Sequence, residues 1–176
     1  MKFNLKKYSQ KVQKEEWEIA QATKDPQILI DILRRGKDDG VSQYAALNPS
    51  CPPEMLAEVS RKENDDIVSQ YAVQNPNCPP EMLVEVLKRG NNDWVSCYAA
   101  RNTNCPPEIL VEVLKRENDD GVSNYAVMNS NCPSEILEEI LKREKDDDIS
   151  YCASENPNCP LEAKIKWMQA TGQKIY

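Results

Sequence analysis

The chain has no histidine, one phenylalanine and five glycines in its 176 residues. Without histidine, the commonest general base near neutral pH and the commonest metal ligand are both missing. Glycines so few make no phosphate-cradling loop. No serine or cysteine stands beside an evident base, so no catalytic residue is nominated and no enzyme activity is expected. No EF-hand spacing accompanies the acidic run Asp146-Asp147-Asp148, and no metal or cofactor is expected. No run of about 18 apolar residues occurs, so nothing is expected to span a membrane.

Basic residues are also scarce over most of the chain. The net charge is −7. Residues 1–14 hold Lys2, Lys6, Lys7, Lys11 and Lys14 and no acid, which is +5. The remainder then has 17 basic and 29 acidic residues, or −12. An acidic array argues against direct nucleic-acid binding, because phosphate needs a basic face. The same imbalance leaves a second possibility, a protein that imitates nucleic acid and inhibits a nucleic-acid-binding partner.

What is present is repetition. Cysteine returns every 27 residues at Cys51, Cys78, Cys105, Cys132 and Cys159. Tyr44, Tyr71, Tyr98 and Tyr125 keep the same step, as do Asn48, Asn75, Asn102, Asn129 and Asn156. A fixed period in this range marks a repeat array whose modules touch only their neighbours. Five of the seven cysteines occupy one repeat position, and the start is lysine-rich rather than an apolar leader. Both features fit a reduced, cytoplasmic protein.

Each unit holds two helices. The first begins at Cys-Pro-Pro-Glu, with proline in the first turn where a missing N–H costs nothing. Glu81 follows Cys78 at the spacing of a capping box, with a thiol in place of a hydroxyl. Met82, Leu83, Val86 and Leu87 make one apolar side. Lys88-Arg89 suits the negative end of the helix, and Gly36 and Gly90 provide left-handed caps in two units. This helix is expected to run about 11 residues.

The second helix begins at an aspartate pair, Asp38-Asp39, Asp65-Asp66, Asp119-Asp120 or Asp146-Asp147, since an N-cap aspartate accepts free N–H groups. It is short, about 8 residues and partly 3₁₀ in expectation, and ends at the asparagine, after which Pro49, Pro76 or Pro157 blocks continuation. Residues 1–23 form a basic arm and capping helix. The segment Glu15–Thr23 is a degenerate second half, because Trp17 precedes Tyr44, and Gln21 precedes Asn48, by one period. Residues 24–158 form the tandem repeats. Residues 159–176 form a partial repeat with a capping helix near Leu161–Ala170 that carries Trp167 and Met168.

The segment Asn75–Arg101, reading NPNCPPEMLVEVLKRGNNDWVSCYAAR, resembles the leucine-rich repeat variant family in its length, its Asn-Pro-x-x-Pro-Pro-Glu start and its short Val/Ala-rich second helix. The resemblance covers about residues 24–160. It implies an all-α, right-handed α-solenoid of alternating α-helices and short, often 3₁₀, helices, here about five 27-residue repeats with helical caps. A known member carries an N-terminal iron–sulfur cluster held by cysteines. No cysteine precedes Cys51, so that feature does not carry over. The family supplies no common enzymatic activity.

Ladder positions read as structural. Repeat-equivalent thiols lie about one helix spacing apart, too far to converge on one ion or to pair as disulfides. The asparagines are expected to bond turn backbone within and between units. The tyrosines are expected to pack between layers, the alternative being a row of aromatic hydroxyls along the binding face. The Lys-Arg and Asp-Asp ridges are read as helix-end electrostatics.

Positions the repeat leaves free are more telling. One slot of the second helix reads Gly40, Ile67, Trp94, Gly121, Asp148. The next reads Gln43, Gln70, Cys97, Asn124, Tyr151, and the third Leu47, Gln74, Arg101, Met128, Glu155. These slots are i, i+3 and i+7 and share one face. Gln43, Leu47, Ile67, Gln70, Gln74, Trp94, Cys97, Arg101, Asn124 and Met128 are therefore the candidate partner-binding residues. Trp, Met and Arg are typical of protein interfaces. The functional expectation is a bacterial protein-binding scaffold, with a monomer expected.

Overall fold

In the computed structural model, residues 15–62 and 65–173 are described. The basic arm, residues 1–14, and the end of the tail lie outside them. Among the described residues the chain is all-α, with no strand, and no helix is long and apolar enough to cross a membrane. The elements are α1 (residues 15–22), α2 (Pro26–Arg34), α3 (Gly40–Leu47), α4 (Pro53–Ser60), α5 (Ile67–Gln74), α6 (Pro80–Lys88), α7 (Trp94–Arg101), α8 (Pro107–Leu114), α9 (Gly121–Met128), α10 (Ser134–Leu141), α11 (Asp148–Glu155) and α12 (Leu161–Thr171). Two compact units result, the first reaching to Pro79 and the second starting at Pro80.

The two-helix repeat of the sequence is the repeat of the structure. The first helices are shorter than expected, eight or nine residues from α2 to α10. The second helices are α-helical over eight residues, with no 3₁₀ turn. The cysteine does not cap the first helix. The N-cap is the first proline, Pro52 in α4 and Pro106 in α8, extended at φ −64° in both, with no side-chain capping bond. A residue before proline is pushed out of the helical region, so Pro-Pro places the N-cap one residue past the thiol and the first helical residue two past it.

The cysteine instead closes a β-turn. Cys51 N–H donates to Asn48 O at 2.8 Å, and Cys78, Cys105, Cys132 and Cys159 repeat this bond to their own asparagines at 2.9 Å. Asparagine at the first turn position and proline at the second are what such a turn favours. The side chain completes an Asx turn, its Oδ1 accepting from Ser50, Asn77, Asn104, Asn131 and Asn158 N–H at 2.8–2.9 Å.

The second helices start as expected. Asp39, Asp66, Asp93, Asp120 and Asp147 are the N-caps, accepting from the N–H of Ser42, Ser69, Ser96, Ser123 and Ser150 at 2.7–2.9 Å. Burial alone would raise the Asp39 carboxyl. The bonds from Ser42, with Lys37 and Arg35 nearby, outweigh it and hold the group below the usual carboxylate range. Asp147 is lowered in the same way against its own burial, by Ser150, Lys145 and Arg143.

In the first unit, α3 packs on α5, and each packs on its own first helix, α2 and α4. Ala45, Ala46, Ala72 and Val73 are fully buried, small enough to let second helices approach closely. α1 takes the place of a second helix, since the Trp17 ring meets Tyr44 edge-on at 5.0 Å and Asn48 Nδ2 donates to Ala20 O at 2.9 Å. In the second unit, α7, α9 and α11 pack in succession through Ala99, Ala100, Ala126, Val127 and Ala153. The α12 helix closes it. Trp167 is buried there and donates from Nε1 to Lys145 O at 2.7 Å.

The asparagine ladder ties layer to layer. Asn75 Nδ2 donates to Ala46 O at 2.7 Å and Asn48 O at 2.9 Å. In the second unit Asn129 reaches Ala100 O and Asn102 O, and Asn156 reaches Val127 O and Asn129 O, at 2.6–3.1 Å. Each amide thus caps the carbonyl end of the preceding second helix, where backbone acceptors lack helical partners. A second ladder runs beside it. Asn131 Nδ2 donates to Thr103 O at 2.7 Å and Asn158 Nδ2 to Ser130 O at 2.7 Å. Arg116 links first helices likewise, both Nη atoms lying 3.2 Å from Leu87 O.

Candidate functional site

Four of the five recurring thiols are interior groups, and Cys159 is half-buried. Cys51, Cys105 and Cys132 are buried, and burial pushes each thiol up to about 12. A thiol held protonated is neither a nucleophile nor a metal ligand at neutral pH. Among the described residues no group of three or more His, Cys, Asp or Glu side chains is placed to hold a metal ion.

The free face of the second helices divides by slot. Most positions of the first and third slots are exposed, Gly121 and Gln74 excepted, whereas the second slot is partly or fully covered by the neighbouring layers except at Tyr151. In the first unit Leu47 and Ile67 are exposed, while Gln43, Gln70 and Gln74 are half-buried. Gln70 Nε2 donates to Asp65 Oδ1 at 3.2 Å, and Gln74 Nε2 to Gln70 O at 3.0 Å, so these amides are occupied locally.

In the second unit Trp94 is 54% and Met128 58% exposed, and Arg101 is exposed. Asn124 is half-buried. Cys97 departs from the expectation. At 5% exposure it is interior, because Gly121 of the next helix carries no side chain and a Cβ there would come within 3.1 Å of the Cys97 sulfur. It offers nothing to a partner.

The tyrosines bind this face into one surface. Trp94 stacks on Tyr98, one helical turn away, with centroids 5.9 Å apart and an interplanar angle of 29°. Tyr98 meets Tyr125 of the next layer at 6.3 Å. Arg101 lies over the Tyr125 ring with its guanidinium carbon 5.9 Å from the centroid. Such a cation over a ring is attracted by about 0.5–1 kcal/mol at an exposed site. The expected interlayer role of the tyrosines holds for this pair, and half-burial leaves their edges on the surface.

The result is a row of Trp94, Tyr98, Tyr125 and Arg101 along two packed helices, with Met128 beside it and Tyr151, also exposed, on the third. It holds no proton-transfer pair. It can bury apolar surface and supply one fixed cation. Compared with models of protein families, with curated proteins and with solved structures, the chain finds no match in any of the three.

Proposed function

We propose that this chain is a non-catalytic protein-binding module that docks a protein partner on the solvent face of its second helices. The observation that carries the reading is the row of Trp94, Tyr98, Tyr125 and Arg101, held together by ring and cation contacts before any partner arrives, with Trp94 and Arg101 exposed and the two tyrosines half-buried beneath them. Aromatic and arginine side chains held in place before binding lose little entropy and dominate interface energetics. The Asn-Pro-x-x-Pro-Pro-Glu segments support grouping the chain with the leucine-rich repeat variant arrays. Interior, protonated thiols support a reducing bacterial cytoplasm as its place of work.

The test is affinity capture from a bacterial lysate with the parent and the Trp94→Ala/Arg101→Ala variant side by side. The double variant should retain helicity and lose little stability, because its changes remove exposed stacking worth about 1 kcal/mol. A partner held by the parent and lost by the variant supports the reading. A partner held equally by both and released by salt refutes it, and favours docking through the acidic surface as a nucleic-acid mimic would.

A further inference from the structure

We infer that the second unit's face takes an extended peptide segment in which a carboxylate side chain is followed or preceded by an apolar one. The inference rests on the proposed docking role of that face and names its partner's chemistry. Arg101 is an exposed cation in a chain of net charge −7, and among the described residues its guanidinium lies over the Tyr125 ring and has no carboxylate partner. Arg35, Arg89, Arg116 and Arg143 each sit 3.2–3.6 Å from a carboxylate of this chain. Arg101 is thus held, but not neutralised.

How it is held favours one ligand. The Arg101 guanidinium carbon lies 5.9 Å from the Tyr125 centroid, so the ring attracts the cation without occupying its N–H donors. The planar fork of those donors matches a carboxylate bidentately. Trp94 lies two turns away on the same helix face, roughly 10 Å along the axis at 1.5 Å per residue. An extended strand covers that distance in about three residues. A carboxylate on Arg101 and an apolar side chain against Trp94 therefore suit one short segment.

A polyanion suits the surface poorly. Asp148 begins α11 and Glu155 ends it, and the helix N-caps add Asp120 and Asp147 in the same unit. Repeated phosphates would meet these acids once past Arg101, whereas a single carboxylate with apolar neighbours would not.

The test is selection of a displayed library of random linear peptides on the full chain. The best binder is then titrated as a synthetic peptide, read by tryptophan fluorescence. Trp167 is buried and Trp17 packs on Tyr44, so an exposed-site quench reports Trp94. The selected peptides should share an acidic residue and an apolar one about three residues apart. Amidating that acid (Asp→Asn or Glu→Gln), or changing Arg101→Gln, should each weaken binding roughly ten-fold or more, as expected for a charge-assisted pair. The two changes together should cost little more than either alone.

Selected peptides without an acid, unchanged affinity in Arg101→Gln, additive effects, tighter binding of oligothymidylate, or no selected peptide at all would each overturn the inference. Trp94→Ala, which lacks the fluorescent reporter and is therefore titrated by isothermal calorimetry alongside the parent and Arg101→Gln, separates the two levels. If binding drops in Trp94→Ala but not in Arg101→Gln, the docking face stands and the carboxylate partner falls. If neither variant weakens the peptide, the face itself is refuted as its site.

Discussion

Asn129 offers the sharpest test of what holds the layers together. It is 4% exposed, donates from Nδ2 to Ala100 O at 2.6 Å and Asn102 O at 3.0 Å, and accepts from Asn131 N–H at 2.8 Å. Asn102 O also accepts from Cys105 N–H, so it keeps a partner when the amide is removed. Ala100 O and Asn131 N–H do not keep these bonds. At about 1–3 kcal/mol for each backbone group orphaned in the interior, with Asn131 at the low end because it is half-buried, Asn129→Ala should lose about 3 kcal/mol. For a chain of this size that lowers Tm by about 6–12 °C. The assay is urea and thermal unfolding followed by helical circular dichroism, with the slope m expected to stay constant.

Asn129→Asp sharpens the argument, because the residue keeps its shape and its acceptor for Asn131. It replaces the donor with a carboxylate oxygen facing two carbonyl oxygens. Burial and those carbonyls raise the folded-state pKa of the new acid above its unfolded value of about 3.9. The penalty is then full above the raised pKa and disappears as pH falls toward the unfolded one, where the protonated acid can donate. Asn129→Asp should thus be less stable than Asn129→Ala at pH 7, and the gap should close on acidification. Equal stability of the aspartate variant and the parent at pH 7, or an alanine variant within about 1 kcal/mol of the parent, would refute the ladder's role.

Two further outcomes follow from local geometry. Glu144 sits at φ +54°, where Gly90 has +73° in its own repeat, and a side chain there carries about 1–2 kcal/mol of strain. Glu144→Gly should therefore raise stability by about 0.5–1 kcal/mol after glycine's extra unfolded-state entropy, and a loss in urea midpoint would contradict this. Asp147→Ala should lose about 1 kcal/mol at pH 7 through the missing N-cap. Because the folded Asp147 carboxyl lies below its ordinary value, its charged-state stabilisation is present above the unfolded pKa and lost as pH falls through the folded one. The parent and Asp147→Ala should converge in unfolding titrations as pH falls below the ordinary aspartate range of about 3.9, and a constant gap would count against the cap.

The period, the apolar stripe Met82, Leu83, Val86 and Leu87, the aspartate caps and the asparagine ladder were legible in the sequence because each depends on local spacing. The cysteine's place was misread for a local reason too. A thiol three residues before Glu81 mimics a capping box, but the Pro-Pro that follows delays the helix start and turns the cysteine into the last residue of a buried turn. Cys97 was misplaced because its burial is set by Gly121, one repeat later. The left-handed backbone at Glu117 and Glu144 was invisible, since only glycine announces that conformation. For the tyrosines the sequence left two readings, interlayer packing and a row along the free face, and half-buried Tyr98 and Tyr125 combine the two.

That overlap bears on how such a face can change. The asparagines, the N-cap aspartates and the buried turn cysteines satisfy backbone and core within one or two repeats, so stability is close to a sum of repeat and neighbour terms. Trp94, Gly121 and Asp148 occupy one position and differ in size and charge, yet all three sit at the start of an eight-residue helix with the same aspartate cap. A residue in that slot can be exchanged without disturbing the ladder, provided the side chain is not needed to cover the next layer. Gly121 is where that proviso applies, because a Cβ there meets Cys97 at 3.1 Å. If this face docks a partner as proposed, its specificity rests on a few solvent-side positions carried on a frame whose polar bonds are already made, and the Tyr98–Tyr125 pair is the point where frame and face meet.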